Sequence, residues 1–196
     1  MEDTCLQKLL DKKGRLLIAI DGRCGCGKSR IGTELSESLQ ASLFHLDDFY
    51  LPPAQRQDNW RTIPAGNMDL ARFREEVLEP FIRKESARYR AYSCQEKRYL
   101  PEIEIPYRPA AIIEGSYSHH PSLADVYDVR LFVTADRRVQ LDRLRKREGS
   151  YFSAFEEIWL PMEEAYFESF AIEENADCVI VTNQTPPAWN WKSRLP

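Results

Sequence analysis

The 196-residue sequence predicts an α/β fold, in which a parallel sheet of about five strands lies between two layers of helices. Short apolar runs alternate with segments of helical period, and a glycine-rich loop follows the first run. One strand-like stretch with a polar centre breaks this alternation and predicts a β-hairpin insertion. The length suits a single domain, residues 1–196.

The predicted strands are five apolar runs, at residues 15–21, 41–46, 110–115, 128–134 and 176–182. The predicted helices are a segment beginning at about Lys28, a segment at 69–84 that bends or ends at Pro80, a basic segment at 136–149, and a segment at 151–174 that is kinked at Pro161. The insertion covers residues 88–109. The tail, residues 183–196, is rich in proline, and we expect no regular structure there.

The composition is that of an ordinary globular protein, with 43% hydrophobic and 30% charged residues and a formal net charge of -4. This charge argues against general nucleic-acid binding, and no apolar run is long enough to span a membrane. The N-terminal residues are charged and do not resemble a signal peptide. Five irregularly spaced cysteines do not form a disulfide framework, so we expect a cytoplasmic protein.

Residues 22–29, GRCGCGKS, fit the phosphate-loop motif G-x-x-x-x-G-K-[ST] at every position. In such a loop backbone N–H groups surround an anion, the lysine reaches the β- and γ-phosphates, and the hydroxyl binds Mg²⁺. The motif stands between a buried strand and an amphipathic helix, so the fold is predicted to be a P-loop NTPase three-layer sandwich. The predicted nucleotide-binding residues are Gly22, Arg23, Cys24, Gly25, Cys26, Gly27, Lys28, Ser29 and Arg30.

Cys24 and Cys26 occupy variable positions of the loop, where we expect small filler residues. Because a helix N-terminus can lower the pKa of a thiol, oxidative inactivation is the alternative.

An acidic pair, Asp47 and Asp48, follows the second predicted strand and therefore lies at the carboxyl edge of the sheet, where open α/β sheets bind ligands. A carboxylate there could accept a proton from an attacking hydroxyl. Capping of a helix or turn is an equally good interpretation of the spacing alone.

Five segments occur in an order and spacing that resemble the uridine kinase-like family of P-loop kinases: IAIDGRCGCGKS, HLDDFY, NMDLARF, IIEGSY and RLRKREG. The family includes uridine–cytidine kinases and nicotinamide riboside kinase, with phosphoribulokinase and bacterial pantothenate kinase as distant relatives. The resemblance covers residues 15–182.

For the acceptor, the resemblance implies that Asp47 is the general base on a sugar 5′-hydroxyl. It also implies that Tyr50 lines the nucleoside site, that Asp69 binds ribose hydroxyls and that Tyr92 lies at the base. A helix N-cap is the alternative role of Asp69. Near the place where uridine–cytidine kinases have a histidine, this chain has Lys97.

For the nucleotide, the resemblance implies that Glu114 and Ser29 hold the Mg²⁺ of ATP. Residues 137–150 match a lid, of which Arg147 and Arg143 would close on the transferred phosphoryl group together with Lys28. A solvated helix face is the alternative for part of this basic stretch.

The sequence therefore predicts an ATP- and Mg²⁺-dependent kinase of a small-molecule hydroxyl, with the 5′-hydroxyl of a nucleoside as the first candidate. The alternatives are a kinase of another small alcohol, such as a vitamin precursor or sugar phosphate, and a nucleotide-dependent regulatory protein. Neither a nucleic acid nor a membrane is an expected partner, and a homo-oligomer is compatible with the sequence.

Overall fold

The structure is a computed structural model that describes residues 2–192. Its centre is a sheet of six strands: β1 (Leu16–Gly22), β2 (Ser42–His45), β7 (Ala110–Glu114), β8 (Val129–Thr134), β9 (Cys178–Val181) and β10 (Ala188–Trp191). Their order across the sheet is β10-β9-β8-β1-β7-β2. The first five are parallel, which confirms the predicted sheet of about five strands.

The sixth strand, β10, corrects the prediction of an irregular tail, because Ala188–Trp191 pairs antiparallel with β9. Trp189 and Trp191 alternate along it and pack against the apolar cluster beneath β9. This alternation is the signal that the prolines obscured. The last part of the predicted tail, residues 193–196, lies outside the described residues.

Helices cover both faces of the sheet, as the three-layer prediction requires. They are α1 (Glu2–Lys13), α2 (Lys28–Ser38), α3 (Leu70–Phe73), α4 (Glu79–Arg83), α5 (Arg137–Glu148), α6 (Phe152–Ala154), α7 (Leu160–Phe170) and α8 (Ile172–Asn175). The first, α1, was not predicted; its Leu6 is fully buried against the sheet. No helix within residues 2–192 combines the length and apolar character needed to cross a membrane.

The central strand β1 lies between the two halves of the core, and all seven of its residues are buried. Leu17 belongs to one apolar cluster, while Leu16, Ile18 and Ile20 belong to the cluster on the opposite face. A strand covered on both sides is apolar along nearly all of its length, which is why this run predicts a parallel sheet. The exception in β1 is Asp21, whose carboxylate is buried and hydrogen-bonded.

Two helical segments contain a proline, and in each a π turn precedes it. A π turn, Arg74–Leu78, joins α3 to α4, and the Glu79 N–H donates to the carbonyl of Arg74, five residues back. The helix thus continues through Pro80 instead of ending there. A second π turn, Phe155–Trp159, precedes Pro161 in the same way. The wider turn accommodates a proline ring that would clash with a regular helix.

The insertion forms two antiparallel pairs beside the sheet. The outer strands, β3 (Ala87–Tyr89) and β6 (Ile103–Ile105), pair with each other. The inner strands, β4 (Tyr92–Ser93) and β5 (Arg98–Tyr99), form a small hairpin. This insertion and the π turn Phe155–Trp159 supply walls for the cavities described below.

Candidate active site

The glycine-rich loop runs from the end of β1 to the start of α2, and its path needs glycine. Gly22 has a φ of 133°, and a Cβ built on it would lie 2.0 Å from the carbonyl oxygen of Val133. The next residue, Arg23, donates its backbone N–H to that same oxygen at 3.0 Å. The loop therefore begins in direct contact with the backbone of β8.

Arg23, one of the predicted nucleotide-binding residues, directs its side-chain donors to other parts of the protein. Its guanidinium bonds to Glu164 at 2.9 and 3.0 Å and to Glu173 at 2.9 Å. It also lies over the ring of Phe132. Arg23 thus anchors the loop to α7 and α8.

Lys28 and Ser29 begin α2 as the motif requires. The buried Nζ of Lys28 donates to the carbonyl oxygen of Gly22 at 2.5 Å, so the side chain folds back over the loop. Burial alone would lower the pKa of Lys28, but the negative charges of Glu163 and Asp21 raise it above its ordinary value. The lysine is therefore a permanent cation at the centre of the loop.

Asp21, which sequence reasoning missed, holds the base of the loop in place. Its fully buried carboxylate accepts from the N–H of Gly22 at 2.7 Å, the N–H of His119 at 2.9 Å and the hydroxyl of Tyr166 at 2.8 Å. Three donors compensate the cost of burying this charge. The network links β1 to α7 and to the turn after β7.

Glu163 of α7 is the second residue that the sequence did not indicate. Its buried carboxylate accepts from the N–H of Cys24 at 2.8 and 3.0 Å, so it occupies one of the donors of the loop. Burial raises its pKa to about 7, against the opposing effects of Lys28 and of the Cys24 N–H. It lies among several glutamates of similar spacing, and nothing in the sequence separates it from them.

The two loop cysteines have different surroundings. Cys26 is fully buried in the apolar cluster, and burial raises the pKa of its thiol to about 11. Burial and the charge of Glu163 also raise the pKa of Cys24. Both shifts oppose the thiolate form, which favours the filler role over the oxidative alternative.

The acidic pair stands in the 3₁₀ turn Leu46–Phe49, directly after β2. Asp48 accepts from the hydroxyl of Tyr89 at 3.0 Å, which ties it to the insertion. Asp47 instead lines the cavity beside the phosphate loop. Desolvation there raises the pKa of Asp47, and Glu114 adds to the shift, while Lys28 opposes it.

Ser29, Glu114 and His45 meet where α2, β7 and β2 converge. The hydroxyl of Ser29 donates to Glu114 Oε2 at 3.1 Å, and His45 Nδ1 lies 2.5 Å from Glu114 Oε1. The bond to Glu114 raises the pKa of His45. Within residues 2–192, no group of three or more His, Cys, Asp or Glu side chains could hold a metal ion alone.

This donor set nevertheless fits Mg²⁺ that arrives with a nucleotide. Mg²⁺ prefers oxygen ligands, keeps several waters and is commonly bound by one or two protein groups together with phosphates. Ser29 Oγ and the Glu114 carboxylate offer that number of oxygens at one point beside the loop.

The two arginines predicted for the lid also face the loop. Arg143 donates to the hydroxyl of Thr182 at 2.9 Å and to its carbonyl at 2.6 Å. Arg147, at the end of α5, lies with its guanidinium carbon 5.6 Å from the ring centre of Phe155. Both line the cavity beside the loop.

We call that space the loop cavity. It has a volume of about 370 Å³ and is lined by Cys24, Gly25, Gly27, Lys28, Ser29, Arg30, Asp47, Tyr50, Glu114, Ser116, Arg143, Arg147 and Phe155. Most of the predicted nucleotide, metal and catalytic residues thus surround one space.

A second space, which we call the adjoining cavity, has a volume of about 440 Å³. It shares Cys24, Tyr50, Ser116 and Phe155 with the loop cavity, and its other lining residues are Pro53, Arg56, Asn67, Tyr92, Cys94, Lys97, Tyr117, Trp159 and Glu163. Tyr50 and Tyr92, to which the resemblance assigns contacts with the nucleoside, therefore line one space.

Asp69 lines neither cavity. Its Oδ1 accepts from the backbone N–H of Arg72 at 3.1 Å, and its Oδ2 lies 3.4 Å from the guanidinium of Arg72. It is the N-cap of α3, which was the alternative role for this residue.

Three solved structures with similar folds are kinases by name. A possible uridine kinase from Bacillus stearothermophilus superimposes with a TM-score of 0.66 at 18% identity, over 91% of this chain and 99% of that one. D-glycerate 3-kinase from Cryptococcus neoformans var. grubii gives 0.63 at 11%, over 96% and 97%. A candidate fructose transport system kinase from Silicibacter sp. TM1040 gives 0.60 at 20%, over 90% of each chain.

The chain has a P-loop kinase fold. The similarity confirms the predicted fold class and agrees with the resemblance to uridine kinase-like proteins. No protein-family model matches the chain, and no curated protein matches it by sequence.

Proposed function

We propose that the protein is an ATP-dependent phosphotransferase that moves the γ-phosphate to a hydroxyl of a small molecule. One observation carries this proposal: the Asp47 carboxylate lines the same cavity as Lys28 and the phosphate loop, beside a second cavity of ligand size. A protein that only hydrolyses or senses ATP has no evident need for that second cavity. The three kinases of similar fold support the same reaction class.

The nucleotide would lie in the loop cavity. The N–H groups at the start of α2 and the ammonium of Lys28 would bind its phosphates. Arg143, held by Thr182, and Arg147, at the open end of α5, would neutralise charge that develops on the phosphoryl group in flight. Ser29 and Glu114 would hold Mg²⁺, which supplies electrostatic stabilisation of the phosphate oxygens.

Asp47 would act as the general base. As the hydroxyl oxygen of the acceptor forms its bond to the γ-phosphorus, the bond from that phosphorus to the β,γ-bridging oxygen breaks. ADP leaves with the bridging oxygen, and the hydroxyl proton passes to the carboxylate of Asp47. Such catalysis rests on positioning and electrostatics, and both cavities meet at Tyr50, next to the 3₁₀ turn of Asp47.

Two acceptor classes follow from the residues. A nucleoside, the candidate that the resemblance implied, is supported by Tyr50 and Tyr92 in the adjoining cavity, whereas Asp69 does not line it. Another small alcohol is supported by the names of the glycerate and fructose kinases of similar fold.

The test is ADP release from Mg²⁺·ATP with uridine, cytidine, nicotinamide riboside, pantothenate, D-glycerate, fructose or no acceptor. We expect one class of acceptor to stimulate ADP release well above the rate without acceptor. Chelation of Mg²⁺ should abolish that stimulation. An ATPase rate that no alcohol changes would contradict the proposal and favour the regulatory alternative.

A further inference from the structure

Two positively charged side chains line the adjoining cavity. Arg56 and Lys97 both line it, and within residues 2–192 neither forms an ion pair. Within residues 2–192, ten arginines, in contrast, form an ion pair with a carboxylate. Two unpaired cations in one concave site indicate an anionic ligand.

Arg56 is held in place for binding. Its Nε donates to the carbonyl oxygen of Leu51 at 2.9 Å, and its guanidinium carbon lies 5.1 Å from the ring centre of Trp60. Trp60 in turn packs against Trp159, a cavity residue, with 5.8 Å between ring centres. These contacts fix the planar group. Its further hydrogen-bond partner, the thiol of Cys94, also lines the cavity, and a thiol is a weak acceptor that a carboxylate or phosphate would displace.

Lys97 stands at the tip of the hairpin β4–β5, with a φ of 53°. The nearby charges are already satisfied, because Glu96 pairs with Arg98. The ammonium of Lys97 is therefore left to the cavity that it lines.

The remaining wall also fits a polar ligand. Asn67 is buried, lines the cavity and has an amide oxygen without a hydrogen-bond partner in the described part of the chain. A bound hydroxyl would satisfy that oxygen. The only carboxylate on the wall, that of Glu163, is held by the N–H of Cys24 at the side shared with the loop.

We propose that the acceptor is an anionic alcohol, whose carboxylate or phosphate is bound by Arg56 and Lys97 while its hydroxyl reaches the loop cavity. The arrangement of the lining residues supports this orientation, since neither cation lines the loop cavity. The inference rests on the proposed phosphotransferase function and narrows its acceptor from alcohols in general to charged ones.

The experiment compares acceptors in matched pairs that differ in charge: D-glycerate with glycerol, and D-pantothenate with D-panthenol. ADP release gives KM, and calorimetric titration of the protein with ADP bound gives Kd for the same compounds. We expect the charged member of at least one pair to bind more tightly and to be the better acceptor. If every neutral member matches its charged partner, or no charged compound binds, the inference is wrong.

Substitutions of Arg56 and Lys97 test whether these two residues bind the charged group of the acceptor. Arg56→Gln and Lys97→Gln should each raise KM for the charged acceptor roughly 10- to 100-fold, with little change for the neutral one. The KM of Arg56→Lys for the charged acceptor should lie between those of wild type and Arg56→Gln. The matched controls are Arg61→Gln, which also contacts Trp60, and Lys84→Gln, another left-handed lysine; neither lines the cavity.

The failures of the two proposals can be told apart. A charged acceptor that is phosphorylated equally well by wild type and both variants would overturn the binding of its charge by Arg56 and Lys97 and leave the phosphotransferase intact. Charged compounds that bind through Arg56 and Lys97 without ever stimulating ADP release would support the subsite and contradict the phosphotransferase.

Discussion

The loop cavity and the adjoining cavity are built in different ways. Around the loop cavity, hydrogen bonds fix backbone and buried side chains: Asp21 accepts three of them, and Arg23 ties the loop to α7 and α8. The adjoining cavity is formed by side chains from short 3₁₀ turns, a hairpin tip and a π turn. The loop cavity is thus bounded by a network of backbone and buried carboxylate hydrogen bonds, whereas the adjoining cavity depends on side chains from several short, separate segments.

The largest expected effect tests Asp47, which lines the loop cavity close in sequence to Tyr50, a residue of both cavities. Asp47→Asn should lower kcat roughly 10²–10⁴-fold, because an amide cannot accept the hydroxyl proton. The affinity for ATP, measured by equilibrium titration, should change little. Asp48→Asn is the matched control, since Asp48 is bound by Tyr89 and does not line the loop cavity. Equal losses in the two variants would contradict the assignment of the base.

The next prediction tests the close contact between the phosphate loop and the backbone of β8. Gly22→Ala should lower the free energy of unfolding by about 3 kcal/mol or more, because the new Cβ would meet the backbone of Val133. Gly14→Ala is the control: Gly14 also has a positive φ, 69°, but nothing lies within 4 Å of its added Cβ. Gly14→Ala should lower the free energy of unfolding by about 1 kcal/mol. Equal losses in urea denaturation would show that backbone strain, and not the contact with β8, makes Gly22 necessary.

The third prediction concerns Glu163, which lines the adjoining cavity and accepts from the Cys24 N–H of the phosphate loop. Its pKa of about 7 belongs to the protein without nucleotide, and bound phosphates would raise the pKa further by repelling the carboxylate. Nucleotide binding should therefore take up a proton, and affinity should fall as the pH rises through 7. By linkage, the loss between pH 6 and pH 8 is roughly tenfold.

Glu163→Gln removes this titration. The variant should bind Mg²⁺·ADP with an affinity that depends on pH only through the nucleotide itself, and more tightly than wild type at pH 8. The measurement is a calorimetric titration at pH 6, 7 and 8 in buffers of different ionisation enthalpy. A wild type that takes up no protons would show that the carboxylate of Glu163 does not compete with the phosphates.

The difference between the cavities also explains what could be predicted from the sequence. Gly22, Lys28 and Ser29 belong to one continuous motif whose geometry is local, and the buried run of β1 fixes the sheet around it. The sequence was therefore sufficient to predict the fold class and the position of Asp47 at the carboxyl edge of the sheet.

Arg56, Asn67 and Lys97 lie on three separate segments and have no common pattern, so only the tertiary structure brings them to one cavity. Glu163 was missed for the same reason, because its partner is 139 residues away. The strand β10 was missed because neighbouring prolines outweighed its alternating tryptophans. Local propensity could not show the partner strand β9.

The smallest expected effect tests whether Asp69 only caps helix α3 or also contacts the acceptor. As the N-cap of α3, it should lose about 1 kcal/mol of stability in Asp69→Ala and little in Asp69→Asn, because asparagine caps a helix nearly as well. KM for the acceptor should be unchanged in Asp69→Asn.

A rise in that KM of tenfold or more, with stability unchanged in urea denaturation, would restore Asp69 to the acceptor site that the family resemblance implied. That outcome would require the carboxylate to leave Arg72, at 3.4 Å, when the acceptor binds. Arg72 could accommodate the change, because Glu76 already pairs with its guanidinium at 3.0 Å. An unchanged KM would instead place Asp69 in the scaffold, so that recognition of the acceptor rests on the residues that line the adjoining cavity.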